Sequence, residues 1–378
     1  MHFDNNIISI KEKLASIDWN FSDIKTADDL NSIHPYPAKF IPQIPRTLIK
    51  EIKVPSGTSI LDPFCGSGTT LTEAQSLGIP SVGIDLNPIA CLISRVKTQP
   101  FPPMFQESAE KCVQRAMTSR NYVIPEIPNL NHWFKVDIQH ALASLLHEIR
   151  SVNDNLIREA LQLAFSSIIV RVSNQESDTR YAAIEKNIES KDVFNLFLSA
   201  CKHITKVKSE NPSRYLAPVT VLQKDVLTIT NSDLDQRIGL VITSPPYPNA
   251  YEYWLYHKYR MWWLGYDPIN VKEHEIGARA HYFKKNHQTV DDFKNQMEVF
   301  LSLMRKIVIK NGFICIVIGR SIIHGQYIDN ASILEELAMK CKMDVVIKIT
   351  RKIPSNRKSF NLSYAKIKEE TILVLHNK

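Results

Sequence analysis

Ser59-Ile60-Leu61-Asp62-Pro63-Phe64-Cys65-Gly66-Ser67-Gly68-Thr69-Thr70 is the stretch whose reading decides the fold. A short apolar strand runs into Asp62, Gly66 and Gly68 form a turn, and a helix begins near Thr69 and continues through Ala74 to Leu77. Strand, glycine turn and helix in direct succession open a parallel α/β unit. Its glycines admit a ligand close to the backbone, and its helix N-terminus offers unpaired N–H groups. No Lys follows the second glycine, which excludes a Walker phosphate loop, and Leu71 stands where the dinucleotide fingerprint needs its third glycine. The next strand, Ser81 to Ile84, ends in Asp85, the place from which an acidic side chain reaches ribose hydroxyls. Glycine turn and acidic strand end together predict a nucleoside-containing cofactor. Cys65 lies inside the turn and reads as packing or lining.

A second stretch stands far along the chain. The apolar run Ile238 to Ile242 reads as a short buried strand, and Thr243-Ser244-Pro245-Pro246-Tyr247 follows it. Adjacent prolines forbid the strand from continuing, so it stops at a rigid turn. Such a turn presents fixed carbonyl acceptors, the Ser244 hydroxyl and the aromatic face of Tyr247, a socket for a flat ring bearing an amino group. An exocyclic amine is a poor nucleophile because its lone pair is delocalised into the ring. Acceptors on both N–H bonds, from Ser244 Oγ and the Pro245 carbonyl, draw the nitrogen toward a tetrahedral geometry. Stacking on Tyr247 is worth roughly 1–3 kcal/mol. In isolation the same residues suit a plain proline-rich loop equally well.

Composition narrows the class. With 378 residues the chain has room for one large domain or two smaller ones, and a formal net charge of +7 favours a polyanionic partner. The six cysteines are scattered without a CxxC pair or a matching His spacing, which predicts no metal site and reduced, mostly buried thiols. No apolar run approaches the ~20 residues that span a bilayer, and Met1 to Asn6 is not a signal peptide, so the expectation is a cytoplasmic protein.

With both stretches in hand, the chain resembles the class I S-adenosylmethionine-dependent DNA amino-methyltransferases, which modify cytosine N4 or adenine N6. Their cofactor motif, Asp-Pro-Phe-x-Gly-Ser-Gly-Thr-Thr, is matched from Asp62 to Thr70 with Cys65 at the variable position. Their catalytic motif, (Asp/Asn/Ser)-Pro-Pro-(Tyr/Phe), is matched from Ser244 to Tyr247, and the serine form is most typical of the N4-cytosine enzymes. His34-Pro35-Tyr36-Pro37-Ala38-Lys39-Phe40 resembles the segment beside the cofactor's methionine end. The resemblance implies a three-layer, Rossmann-like α/β sheet of seven strands with a terminal antiparallel hairpin. It implies S-adenosylmethionine held by His34, Lys39, Asp62, Phe64, Gly66, Gly68, Thr69, Thr70, Asp85 and Asp225, and chemistry at Ser244, Pro245, Pro246 and Tyr247. It further implies double-stranded DNA as substrate, with the target base flipped out of the duplex, and a restriction–modification setting with a separately encoded endonuclease. The cofactor-first order of motifs is shared with some adenine enzymes and with tRNA guanine-N2 methyltransferases. Those two activities, and a catalytically silent nucleic-acid-binding protein, stay open as alternatives.

The remainder divides around these motifs. Residues 1–98 make an N-terminal segment and the cofactor half, 99–215 a mainly helical insertion and candidate target-recognition region, and 216–378 the catalytic half. Within the insertion, Leu142 to Ile149, Leu156 to Ile169 and Val193 to Ile204 have helical apolar spacing. The polar run Ser173 to Tyr181 reads as a loop suited to a nucleic-acid groove, with Arg171 and Arg180 beside it. Tyr251 to Trp263 reads as an aromatic helix, and Gly265 to Thr289 as a basic loop carrying Arg279, Lys284 and Lys285. Val345 to Thr350 pairs with Thr371 to His376 as the terminal hairpin, and Arg351 and Arg357 between those strands are expected to meet DNA backbone. For each of these basic groups a solvated surface role is the alternative.

Overall fold

The computed structural model describes residues 2–22, 29–211, 217–248, 251–283, 287–353 and 369–378. Seven strands form the main sheet: β1 (Ser59–Asp62), β2 (Ser81–Asp85), β3 (Val219–Gln223), β4 (Ile238–Thr243), β5 (Val308–Gly319), β6 (Met343–Lys352) and β7 (Glu369–Asn377). Their order across the sheet is β6-β7-β5-β4-β1-β2-β3. Every pairing from β3 to β5 is parallel, and β7 runs antiparallel between β5 and β6. This is the expected sheet, terminal hairpin included. Chain order reverses between β1 and β4, which opens a crevice at the carboxyl ends of those strands.

Side-chain alternation with period two sends the sheet's apolar residues to two cores. Ile60, Leu240, Ile242, Cys315, Val317 and Val374 pack on one face against α1 (His2–Ala15) and α2 (Gln43–Ile52). Leu61, Val241, Ile314, Ile316, Leu373 and Leu375 pack on the other against α11 (Val290–Ile307) and α12 (Asn330–Lys340). Both faces are covered, so the central strands are buried on both sides, as a largely parallel sheet requires.

The other helices in chain order are α3 (Thr69–Ser76), α4 (Pro88–Thr98), α5 (Phe105–Thr118), α6 (Val136–Arg150), α7 (Asn155–Ile168), α8 (Ser190–Ser209), α9 (Tyr253–Leu264) and α10 (Pro268–His274). A third core joins α4 through α9, with Leu92, Phe105, Leu145, Phe165, Phe197 and Trp263 inside it. The helical insertion is therefore packed onto the helix that follows the Ser-Pro-Pro-Tyr turn, not hung from a linker.

The structure departs from the sequence reading in four places. Ser173 to Tyr181 is not a plain loop: Gln175–Ser177 and Arg180–Ala183 pair as a small antiparallel hairpin. Asp178 at its turn is ion-paired to Arg260, which is fully buried in α9. Gly265 to Thr289 contains α10 and a single turn at Arg279–Phe283. Asp267 caps α10 through the amide of Ile269 at 2.8 Å, with Pro268 at the first helical position, an N-terminus signal that the glycine and the basic residues around it obscured. Helix α5 lies outside the three helical stretches read in the insertion, because Pro100, Pro102 and Pro103 precede it closely. A further hairpin, Ser321–Ile323 with Gln326–Ile328, follows β5.

Candidate active site

Asp62 closes β1 and Thr243 closes β4, 181 positions apart, and the sheet order makes the two strands neighbours. Thr243 Oγ1 donates to Asp62 Oδ1 at 2.7 Å, and both residues are buried. One hydrogen bond therefore ties the glycine-turn strand to the strand that carries the Ser-Pro-Pro-Tyr turn.

The glycine turn is held from within its own neighbourhood. Asp85 Oδ2 accepts from the Gly66 amide at 2.8 Å and Oδ1 from the Asn87 amide at 2.8 Å. Ser94 Oγ donates to the Gly66 carbonyl at 2.8 Å, and the buried Lys97 ammonium donates to the Ser67 carbonyl at 2.8 Å. Glycine is required twice here. Gly66 has φ +49°, and a Cβ on it would sit 2.9 Å from Tyr36 Oη. Gly68 has φ +79°, and a Cβ there would meet Ser94 Oγ at 2.8 Å.

Around this turn opens a cavity of roughly 910 Å³ counting its open mouth. Asp62, Phe64, Gly66 and Thr69 line it from the glycine turn, Asp85 from β2, Asp225 from beyond β3, and Ser244 and Pro246 from beyond β4. Tyr36, Ala38 and Phe40 line it from the N-terminal segment, and Glu275 and Ile276 from beyond α10. Eight of the residues singled out in the sequence thus meet in one cavity: Asp62, Phe64, Gly66, Thr69, Asp85, Asp225, Ser244 and Pro246.

The others stand back from it. His34 is buried, with its ring nitrogens against the Pro35 carbonyl at 2.7 Å and Ser166 Oγ at 3.0 Å, and burial drives its pKa well below the usual value. Lys39 Nζ donates to the carbonyls of Asn31 and His34. Both residues brace their segment, and the face it gives the cavity is Tyr36, Ala38 and Phe40. Gly68 and Thr70 form the buried start of α3, Pro245 is buried, and the half-buried Tyr247 packs against the core beneath α11.

Charge within the cavity is one-sided. Burial lifts the pKa of Asp62 and of Asp85 to about 6 and that of Glu275 to about 8. Lys224, the one Lys or Arg among the described lining residues, is committed to Asp233 at 2.6 Å. Carboxylates with a single committed cation disfavour a phosphate-bearing ligand and favour one with a cationic centre. Tyr36, Phe40, Phe64 and Tyr253 add apolar surface for a flat ring, with Tyr36 stacked on Tyr253 at 5.7 Å. Among the described residues no cluster of metal-ligating side chains occurs.

Glu275 escaped the sequence reading. It is 7% exposed, and its carboxylate accepts from the amides of Tyr253 at 2.9 Å and Trp254 at 2.7 Å. Only proximity in space joins it to the Ser-Pro-Pro-Tyr turn, and no local pattern marks it.

The basic residues expected at DNA fall into three groups. Arg171, Arg180 and Arg279 are exposed, Arg180 in an ion pair with Glu176 at 2.6 Å. Arg351 is a correction: it is 3% exposed, donates Nε to the Trp19 carbonyl at 2.9 Å and pairs with Glu370, so it anchors the terminal hairpin and presents nothing to a nucleic acid. Lys284, Lys285 and Arg357 lie outside the described residues. Among the described residues no helix is long and apolar enough to cross a membrane. Of the cysteines, Cys65, Cys91, Cys112, Cys201 and Cys315 are buried and all six are free thiols, with Cys65 in the cavity lining.

Residues 5–95 match a family model described as DNA methylase. Three curated relatives are similar to parts of the chain. Type II methyltransferase M.MvaI of Kocuria varians is 27% identical over 256 residues, covering 61% of this chain and 56% of its own. Type II methyltransferase M.BsoBI of Geobacillus stearothermophilus is 25% identical over 279 residues, 63% of this chain and 53% of its own. Type II methyltransferase M.MjaII of Methanocaldococcus jannaschii is 41% identical over 97 residues, 24% of this chain and 18% of its own. The chain thus spans about half the length of the two relatives it matches most extensively.

Proposed function

We propose that this chain is an S-adenosylmethionine-dependent DNA methyltransferase that methylates an exocyclic amino group, N4 of cytosine, in double-stranded DNA within a restriction–modification system. The observation that carries the reading is the convergence of the Asp62–Thr69 turn, Asp85 and Ser244–Pro246 on one acidic cavity, because donor and acceptor must share one space for direct transfer. The DNA methylase match over residues 5–95 and the likeness to Type II methyltransferases support the substrate class.

The cavity fits the cofactor on its own chemistry. S-adenosylmethionine carries a sulfonium cation, a ribose and an adenine. The carboxylates of Asp62 and Asp85 supply compensating charge, and Asp85 retains lone pairs for ribose hydroxyls after accepting from Gly66 and Asn87. On this reading Asp225, which lines the same cavity, receives an adenine amine, and the aromatic lining flanks the ring. Bound there, the cofactor supplies an activated methyl group. Ser244 Oγ and the Pro245 carbonyl accept the target N–H bonds and hold the amine lone pair toward the cavity, while Tyr247 stacks on the base. Catalysis rests on positioning and preorganised acceptors. A strong base is not required beforehand, because the amine proton becomes acidic only once the nitrogen is methylated.

Expression in a methylation-deficient bacterial host, followed by mass spectrometry of DNA and RNA nucleosides, tests the proposal. The expected product is N4-methylcytosine in DNA. N6-methyladenine would overturn the base assignment and keep the rest, a methylated guanine in RNA would replace the substrate class, and no mark from a cofactor-binding protein would sink the enzyme reading.

A further inference from the structure

The glycine turn is bonded directly by Asp85, Ser94 and Lys97, whereas the Ser-Pro-Pro-Tyr turn is held through the strap that follows α10. Four contacts join the stretch 275–280 to the stretch 247–254. Glu275 accepts from the amides of Tyr253 at 2.9 Å and Trp254 at 2.7 Å, the first two residues of α9. Gly277, at φ +75°, lies so close that a Cβ on it would fall 2.7 Å from the Tyr247 carbonyl carbon and 2.8 Å from its oxygen. The Ala280 amide donates back to Glu252 Oε1 at 3.1 Å.

Helix α9 has Glu252 at its N-cap position, and that side chain makes no cap hydrogen bond to its own helix. It is spent instead on the turn at Arg279–Phe283, while Glu275 caps α9 from across the gap. The two segments exchange their caps. Glu275 and Ile276 also line the cavity together with Ser244 and Pro246, so the same strap is both cavity wall and brace.

We infer that Glu275 and Gly277 are positioning residues for methyl transfer: Glu275 latches the start of α9, Gly277 lets the strap seat on the Tyr247 carbonyl, and together they fix the target-base turn against the cavity. This rests on the reading of Ser244 to Tyr247 as the base socket, although the latch itself is a structural statement that can be tested without it.

The experiment compares wild type, Glu275→Ala, Glu275→Gln and Gly277→Ala. It reads cofactor affinity by calorimetry, single-turnover transfer of labelled methyl to genomic DNA from a methylation-deficient host, and hydrogen exchange of the Tyr253 and Trp254 amides. For Glu275→Ala we expect exchange at least about tenfold faster, a transfer rate down about tenfold or more, and a cofactor Kd within about threefold of wild type. Glu275→Gln keeps one acceptor and should fall between wild type and the alanine variant. Gly277→Ala should slow transfer while leaving the Tyr253 and Trp254 amides protected, because it disturbs the seat and not the latch.

Unchanged exchange in Glu275→Ala would overturn the latch whatever the enzyme does. Loss of cofactor affinity in proportion to loss of rate would reduce Glu275 to a cavity wall, and glutamine as damaging as alanine would make its charge the operative feature. A wild-type protein that transfers no methyl, yet shows the exchange changes, would place the failure in the proposed function and leave the brace standing.

Discussion

The two turns at the carboxyl ends of β1 and β4 sit side by side and are built on opposite plans. The glycine turn is fixed by Asp85, Ser94 and Lys97, all within 31 positions of Gly66, and its two glycines have φ values only glycine adopts freely. The Ser-Pro-Pro-Tyr turn owes its stiffness to prolines and its placement to Asp62, Glu275 and Gly277. The first is a cradle whose own backbone is bonded by its braces; the second is a rigid piece held by a strap seated on it and on the helix behind it. Damage to the cradle should therefore abolish ligand binding, and damage to the second turn should separate binding from chemistry.

The largest expected effect lies in the cradle. Gly66→Lys forces a side chain into a left-handed position already filled by Tyr36 Oη. We expect cofactor affinity to fall more than about 100-fold, close to 3 kcal/mol, with activity lost in parallel; calorimetry showing near-normal binding would break the comparison at its root. Tyr247→Ala comes next and should act on chemistry alone. Loss of stacking worth roughly 1–3 kcal/mol predicts a fall in kcat/KM for DNA of about fivefold to 150-fold, with cofactor Kd unchanged. A matching fall in cofactor affinity would show that the two turns are not separable.

These two plans also decide how much was legible in the sequence. The cradle could be read because Asp62, Gly66 and Asp85 follow one another at strand and turn spacing, and all three reach the cavity. The sheet was readable for the same reason, since short apolar strands alternate with helices and the final strands form a hairpin. Glu275 and Gly277 were not readable, because an acidic residue in a basic stretch carries no mark of the amides it will cap 22 positions earlier. His34 and Lys39 show the reverse limit. The resemblance of their segment to a family's cofactor-side stretch pointed to a ligand, but the side chains that turn inward there are Tyr36, Ala38 and Phe40. Which neighbour faces the cavity is settled by packing, and Arg351, folded under Glu370 and Trp19, makes the same point.

A smaller effect per residue comes from pH. Burial raises Asp62 and Asp85 to about 6. Because these folded-state values lie above those of the unfolded chain, the two carboxyls contribute stability to the ligand-free protein at low pH and lose it as pH rises through about 6. A cationic ligand needs them ionised, so its binding should move the opposite way. A carboxyl with a pKa near 6 is about nine-tenths protonated at pH 5, so each of the two should weaken cofactor affinity about tenfold between pH 7.5 and pH 5. Asp85→Asn should remove one of those two steps. A wild-type affinity independent of pH across this window would remove the acidic cradle from cofactor recognition.

The smallest effect should fall on the seam between the two plans. Thr243→Val keeps the shape of a fully buried side chain and deletes only the hydroxyl that reaches Asp62. Loss of that bond to a charged acceptor should cost about 1 kcal/mol of stability at pH 7.5. It should also raise the Asp62 pKa, since a donor that stabilises the ionised form is gone. The deficit relative to wild type should therefore shrink below pH 6, where Asp62 is protonated and the lost donor matters less. Thermal melts of both proteins at pH 5 and pH 7.5 measure this directly. A deficit equal at the two pH values would mean that Thr243 merely fills space, and that the cradle and the target turn meet through the strands alone. A deficit confined to the higher pH would make the Asp62 charge the point at which the two halves of the cavity are joined.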